Sequence, residues 1–152
     1  PSSNSMFSAT LVINQILDGK KQIKLGNISA YRDFNYVNDT VDAFVNIVKS
    51  NKDLSGETFN FGSSYRLTIK DLVHLIAKIM KKDITIIKDN SRVRPKKSEV
   101  MSLLADSSKA KKIINWKPKY VGKNGLVEGL KLTIKWFRFN RSEYYNHEKY
   151  VK

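Results

Sequence analysis

Gly56–Met80 reads GETFNFGSSYRLTIKDLVHLIAKIM, and this stretch decides the fold class. Thr58 to Phe61 is a β-rich run, because aromatic and β-branched side chains suit a pleated, half-buried surface. Gly62-Ser63-Ser64 closes it as a turn. Thr68 stands three residues before Asp71, a capping-box-like pair whose hydroxyl can take an orphan amide of a first helical turn. Ile69, Leu72, Val73, Ile76, Ile79 and Met80 follow at helical spacing and form an apolar stripe. His74, in the middle of that helix, reads as a packing or surface residue. A strand, a turn and a capped amphipathic helix in succession point to a mixed α/β chain.

The flanks continue the alternation. Upstream, Met6–Leu17 carries a loose helical pattern through Phe7, Leu11, Ile13, Ile16 and Leu17, and Asp18-Gly19 ends it. Gln22–Leu25 alternates as a short strand. Phe34, Tyr36 and Val37 read as extended. Asn38 or Asp39 then caps a helix to about Ser50, with Val41, Phe44, Val45 and Val48 on one face. Downstream, Ile84–Ile87 is a β-branched strand, and Ser91–Lys97 (SRVRPKK) is a basic loop. Asp106 caps a short helix through Ile114, and Trp116-Lys117-Pro118 breaks it. Gly125–Phe139 is a last amphipathic helix on Leu126, Leu130, Ile134 and Phe137. No repeat and no long linker divides the chain, so residues 1–140 read as one domain and 141–152 as a polar tail.

With 152 residues, 41% hydrophobic and 28% charged, the composition is that of a globular domain with a core of its own. The absence of cysteine excludes disulfides, thiolate zinc sites and thiol catalysis, and it suits a reducing cytoplasm. No apolar run approaches the roughly 18–20 residues of a membrane span, so no membrane partner is expected. No basic-then-apolar signal peptide opens the chain. The first residue is Pro1, so either the start was processed or the chain is a piece of something longer. A net charge of +14 fits nucleic-acid binding, a phosphorylated small ligand, or a solvated lysine-rich surface. Lysine spread along the whole chain favours the last.

The motifs of several chemistries are missing. The glycines at 19, 26, 56, 62, 122, 125 and 129 give neither G-x-G-x-x-G nor G-x-x-x-x-G-K-[ST]. Gly62-Ser63-Ser64 lacks the second glycine of a nucleophile elbow. The two histidines, His74 and His147, stand apart from any set of carboxylates at ligand spacing, so no metal site is expected. Tyr145–Lys149 matches Y-x-x-x-K, but without a Gly-rich loop upstream it reads as chance.

Three blocks in order carry a likeness: Gly19–Asp39 (GKKQIKLGNISAYRDFNYVND), Gly56–Ser64 (GETFNFGSS) and Arg92–Trp116 (RVRPKKSEVMSLLADSSKAKKIINW). With the closing G-L-x-x-G-L-x-x-T-I-x-W-F pattern, they resemble the C-terminal part of extended short-chain dehydrogenase/reductases, the NAD-dependent epimerase/dehydratase family. The likeness is nearest to UDP-N-acetylglucosamine 4,6-dehydratases of the legionaminic-acid type. UDP-sugar 4-epimerases and GDP- or dTDP-sugar 4,6-dehydratases are the alternatives, and a basic nucleic-acid-binding module is the alternative of another class.

The resemblance implies an α/β substrate-binding portion whose Rossmann half is absent. Pro1 matches the proline of the family's Tyr-Gly-Pro turn, so the catalytic residues and the NAD site would precede this chain. Ser2 and Ser3 depart from the family's Arg-Gln there. Arg32 and Arg94 match arginines that hold the nucleotide diphosphate, Asn60 one near the sugar-nucleotide, and Lys24 and Leu25 the strand beside the base. Lys97 matches a polar position near the nucleotide. Guanidinium forks suit a diphosphate because they make paired, charge-assisted hydrogen bonds. The plainer readings are a surface pair of Arg32 with Asp33 or Asp39, Arg94 in a solvated basic loop, Asn60 as a turn residue and Leu25 as core. The implied partners are a nucleotide-sugar, UDP-linked above others, the N-terminal Rossmann portion of the same enzyme, and further copies in a homo-oligomer. The chain alone would be inactive.

Overall fold

The computed structural model describes residues 4–90 and 99–141. In chain order these form α1 (Asn4–Leu17), β1 (Gln22–Leu25), β2 (Tyr31–Asp33), α2 (Val37–Val48), β3 (Arg66–Thr68), α3 (Ile69–Met80), β4 (Thr85–Lys88), α4 (Ser108–Ile113) and α5 (Gly122–Phe139). The helix signals act as the residue types require. Gly19 turns to φ 76°, which lets the amides of Gly19 and Lys20 return to the carbonyls of Ile16 and Gln15 and end α1. Thr68 Oγ1 accepts from the Asp71 amide at 3.0 Å and donates to Asp71 Oδ2 at 2.7 Å, capping α3.

The strands are short and pair over long sequence distances. β1 runs parallel to β4 with Gln22 opposite Thr85, and β2 antiparallel to β3 with Tyr31 opposite Thr68. The segment at Ser102 adds one parallel bridge to Tyr31. There the Tyr31 amide donates to the Met101 carbonyl at 2.8 Å and the Leu103 amide to the Tyr31 carbonyl at 3.1 Å. The main core joins Val12, Ile13 and Ile16 of α1 to Leu72, Val73 and Ile76 of α3 and Leu126, Leu130 and Ile134 of α5, with Ile23 and Leu25 beneath. A second, smaller core gathers Ala43, Ala110, Ile114 and Trp116, with Phe59 and Phe61 against it.

Asp39 holds the second core to the turn before α5. Its carboxylate, 1% exposed, accepts from the amides of Lys119 at 2.8 Å and Tyr120 at 2.9 Å. Its carbonyl accepts from the wholly buried Trp116 indole at 2.9 Å. A buried carboxylate persists only with such partners.

Four expectations change. Tyr36, not Asn38 or Asp39, is the N-cap of α2, because Asp39 spends its carboxylate on residues 119 and 120. The extended stretch lies at Tyr31–Asp33, ahead of Phe34–Val37, and β3 had no local signal. Thr58–Phe61 forms no ladder, since none of the described strands runs beside it. Val41, Phe44, Val45 and Val48 do share a face of α2, but it is the exposed one, at 51%, 61%, 39% and 83%. Periodicity sets which residues share a face. The anchoring of Asp39, with Ala43 one turn on, sets which edge turns inward.

Candidate functional site

The pleat of β2 sends Tyr31 and Asp33 to one side and Arg32 to the other. Arg32 Nη1 donates to the Tyr31 carbonyl at 2.8 Å, and Nη2 donates to Glu99 Oε1 at 3.1 Å. Both charged side chains of this ion pair are 13% exposed. Taking two charges this far from water requires the pairing seen here. Arg32 therefore pairs with neither Asp33 nor Asp39, the surface partners its sequence neighbourhood offered.

Asp33 is spent on the other side of β2. It accepts from the Ser63 amide at 2.9 Å, the Ser63 hydroxyl at 2.6 Å and the Ala105 amide at 3.4 Å. This draws the Gly62-Ser63 turn and residue 105 against the strand. A Cβ at Gly62 would fall on Asp33 Oδ2 and lie 2.6 Å from the Ala105 methyl, so only glycine permits the approach. The Gly62 amide donates to Ser107 Oγ at 3.2 Å and completes the closure.

Arg66 stands opposite Asp33 in the β2–β3 register. Its guanidinium lies 5.6 Å from the Tyr31 ring centroid, a cation–π distance, and Nη1 bonds Ser102 Oγ. Tyr31 is thus followed in sequence by one guanidinium and covered by another. Arg32 and Arg66 thus leave the small sheet on opposite faces, and a planar guanidinium at either can meet an anion through paired hydrogen bonds. Arg66 and Glu99 were missed as site residues from sequence. Glu99 stood inside the RPKKSEV block, whereas the partners of Arg66 are far away along the chain.

The other candidates are placed as follows. Lys24 lies on β1 with its side chain outward, and its backbone is taken: its amide donates to Gln15 Oε1 at 3.0 Å, and its carbonyl accepts from Gln15 Nε2 at 3.4 Å. Leu25, 4% exposed, lines the main core. Both belong to the β1–β4 sheet, not to the β2–β3 sheet of Arg32. Asn60 is exposed between Phe59 and Phe61, whose rings stack at 6.4 Å, two residues before Gly62. Arg94, Lys97, the Ser91–Lys97 loop, the Tyr145–Lys149 match and His147 lie outside the described residues, as do Pro1, Ser2 and Ser3. His74 is exposed.

Titration is perturbed elsewhere. Burial, and then the neighbouring Tyr120, raises the Tyr36 phenol, whose ring lies 4.4 Å from that of Tyr120. Hydrogen bonds from Ser55 hold Asp53 below the usual carboxylate range, and hydrogen bonds from Ser108 do the same for Asp106. Among the described residues no group of three His, Cys, Asp or Glu could hold a metal ion. The described strands do not fit a dinucleotide either, since none runs through a Gly-rich turn into a helix N-terminus.

The fold is that of the extended short-chain dehydrogenase/reductases. Within that class, the chain belongs to the GDP-mannose 4,6-dehydratase family, whose model matches residues 5–128. An uncharacterised protein of Methanocaldococcus jannaschii is 32% identical over 80% of this chain and 34% of its own length. The dTDP-D-glucose 4,6-dehydratase of Homo sapiens is 28% identical over 78% of this chain and 33% of its own. The UDP-glucose 4-epimerase of Thermotoga maritima with UDP-glucose superposes at a TM-score of 0.71, with 29% identity, over 87% of this chain and 39% of the other. A UDP-glucuronic acid 4-epimerase mutant from Bacillus cereus, in complex with a UDP-4-deoxy-4-fluoro-glucuronic acid and NAD, gives 0.74 and 26% over 87% and 40%. The chain thus spans about a third of the length of the curated relatives it matches.

Proposed function

We propose that this chain is the nucleotide-sugar-binding, C-terminal portion of an NAD-dependent 4,6-dehydratase acting on a UDP-linked sugar, UDP-N-acetylglucosamine in particular. The observation that carries the reading is Arg32, held by Glu99 and the Tyr31 carbonyl, in a chain of the GDP-mannose 4,6-dehydratase family. Arg32 and Arg94 clamp the diphosphate, and Asn60 and Lys97 contact the nucleotide-sugar. Lys24 flanks the base through its exposed side chain, since its amide is taken by Gln15, while Leu25, buried in the main core, holds that strand from beneath. UDP as the carrier is supported by the UDP-sugars bound to two similar structures. An epimerase of the same class is the reading those two structures would favour.

The portion works with a preceding cofactor-binding half. The exposed apolar face of α2 and the unladdered Thr58–Phe61 run are the surfaces that half would cover. Without it, the chain self-associates and turns over no sugar. NAD, when bound in the intact enzyme, supplies hydride transfer, and this chain's residues bind and orient the substrate. Thermal shift of the chain with UDP, dTDP and GDP tests the reading. Stabilisation by UDP above the other two supports it, equal stabilisation by all three contradicts the choice of base, and none contradicts the site.

A further inference from the structure

The second half of α5 lies beyond residues 5–128, which the family model matches, and it is built in three strips. One strip, through Leu130 and Ile134, enters the core. The strip on the opposite side holds Leu132, Trp136 and Phe139 at i, i+4 and i+7, exposed at 38%, 44% and 77%. Between them runs a row of cations at the same spacing, Lys131, Lys135 and Arg138. These three, with Ile79, Ile134 and Phe139, line an open groove of about 380 Å³ between α3 and α5, and none of them belongs to the Arg32 cluster. Lys131 pairs with Glu128 at 2.7 Å, whereas Lys135 and Arg138 meet no carboxylate among the described residues.

We propose that this outward face of α5 docks on the surface of an anionic phospholipid bilayer. Leucine, tryptophan and phenylalanine beside a row of lysine and arginine match an interfacial helix face: the apolar strip enters the headgroup boundary and the cations meet lipid phosphates and carboxylates. A second copy is disfavoured at this face, because docking two such faces would set the Lys131, Lys135 and Arg138 row of one chain against that of the other. Nucleic acid would use the cations and stack on Trp136 and Phe139 but leave Leu132 in water, whereas the headgroup boundary takes all three apolar side chains. No described helix is long and apolar enough to span a membrane, so the contact is peripheral. The sequence expectation of no membrane partner rested on spanning segments alone.

The test uses the chain's two tryptophans, since Trp116 is wholly buried and Trp136 is 44% exposed. The chain is mixed with phosphatidylcholine vesicles with and without phosphatidylserine, some carrying brominated acyl chains. Binding should require phosphatidylserine, weaken with salt, and quench Trp136 by bromine. A Lys135→Gln/Arg138→Gln variant should partition about 30-fold more weakly, about fivefold for each lost cation. A Trp136→Phe variant should still bind yet lose the quenching, and wild-type circular dichroism shows that both variants fold. The proposal is overturned if Trp136 stays unquenched, which would also be the outcome if the α2 face alone held the vesicle. It is equally overturned by binding that ignores phosphatidylserine, or by an acidic peptide or RNA that shields Trp136 at salt where vesicles do not.

Discussion

Replacing Asp39 by alanine removes a buried carboxylate that takes two backbone amides, those of Lys119 and Tyr120. The Trp116 indole is unaffected directly, because its acceptor is the Asp39 backbone carbonyl, which alanine keeps. Each hydrogen bond to a charged group contributes about 1.5–3 kcal/mol, so the pair contributes about 3–6 kcal/mol. Total stability for a domain is about 5–15 kcal/mol, so the variant should lose a large share of it. In melting temperature this is about 6–24 °C, at about 2–4 °C per kcal/mol for this size. Asp39→Asn keeps one acceptor and turns an amide donor toward a second donor, so it should fall between wild type and alanine. Urea unfolding followed by fluorescence suits the measurement, since the buried Trp116 sits beside the lesion. A loss under about 1 kcal/mol, with an unchanged denaturant slope, would refute the role given to Asp39.

Three further outcomes follow from other residues. Gly62→Ala should cost about 1–3 kcal/mol in chemical denaturation, because the added methyl meets Asp33 and Ala105 and one of them must shift to admit it. Phe44→Ser, at a side chain 61% exposed, should change stability by no more than about 0.5 kcal/mol yet reduce self-association in sedimentation velocity. Asp106 is held below its ordinary value of 3.8 by Ser108, so its carboxylate stabilises fully above that pH and loses the contribution as pH falls through its lower folded value. The stability gap between wild type and Asp106→Ala, measured by denaturation from pH 6 downward, should therefore narrow only at the acid end of the series.

The helices were the legible part of the fold, because each carries its own instructions. Thr68 and Asp71 cap α3, and Gly19 ends α1, through contacts within a few residues. β3 was not legible, because three residues become a strand only when Tyr31–Asp33 arrives beside them. The direction of the α2 stripe failed for a related reason: Asp39 reads locally as a cap, and its real partners are 80 residues further along the chain and beyond. At the site, Arg32 was legible through the RDF block, but its ion pair with Glu99 spans 67 residues and left no local signal. Arg66 was hidden in the same way, since it is placed by register and by the Tyr31 ring rather than by a motif.

The central claim is that Arg32 binds the diphosphate of a nucleotide-sugar, and calorimetric titration of the chain with UDP and with uridine tests it most directly. Arg32→Ala should weaken UDP by about 10- to 100-fold, the loss of a charge-assisted contact of about 1.5–3 kcal/mol, and leave uridine unchanged. UDP affinity that survives Arg32→Ala in a variant with wild-type circular dichroism would contradict the account.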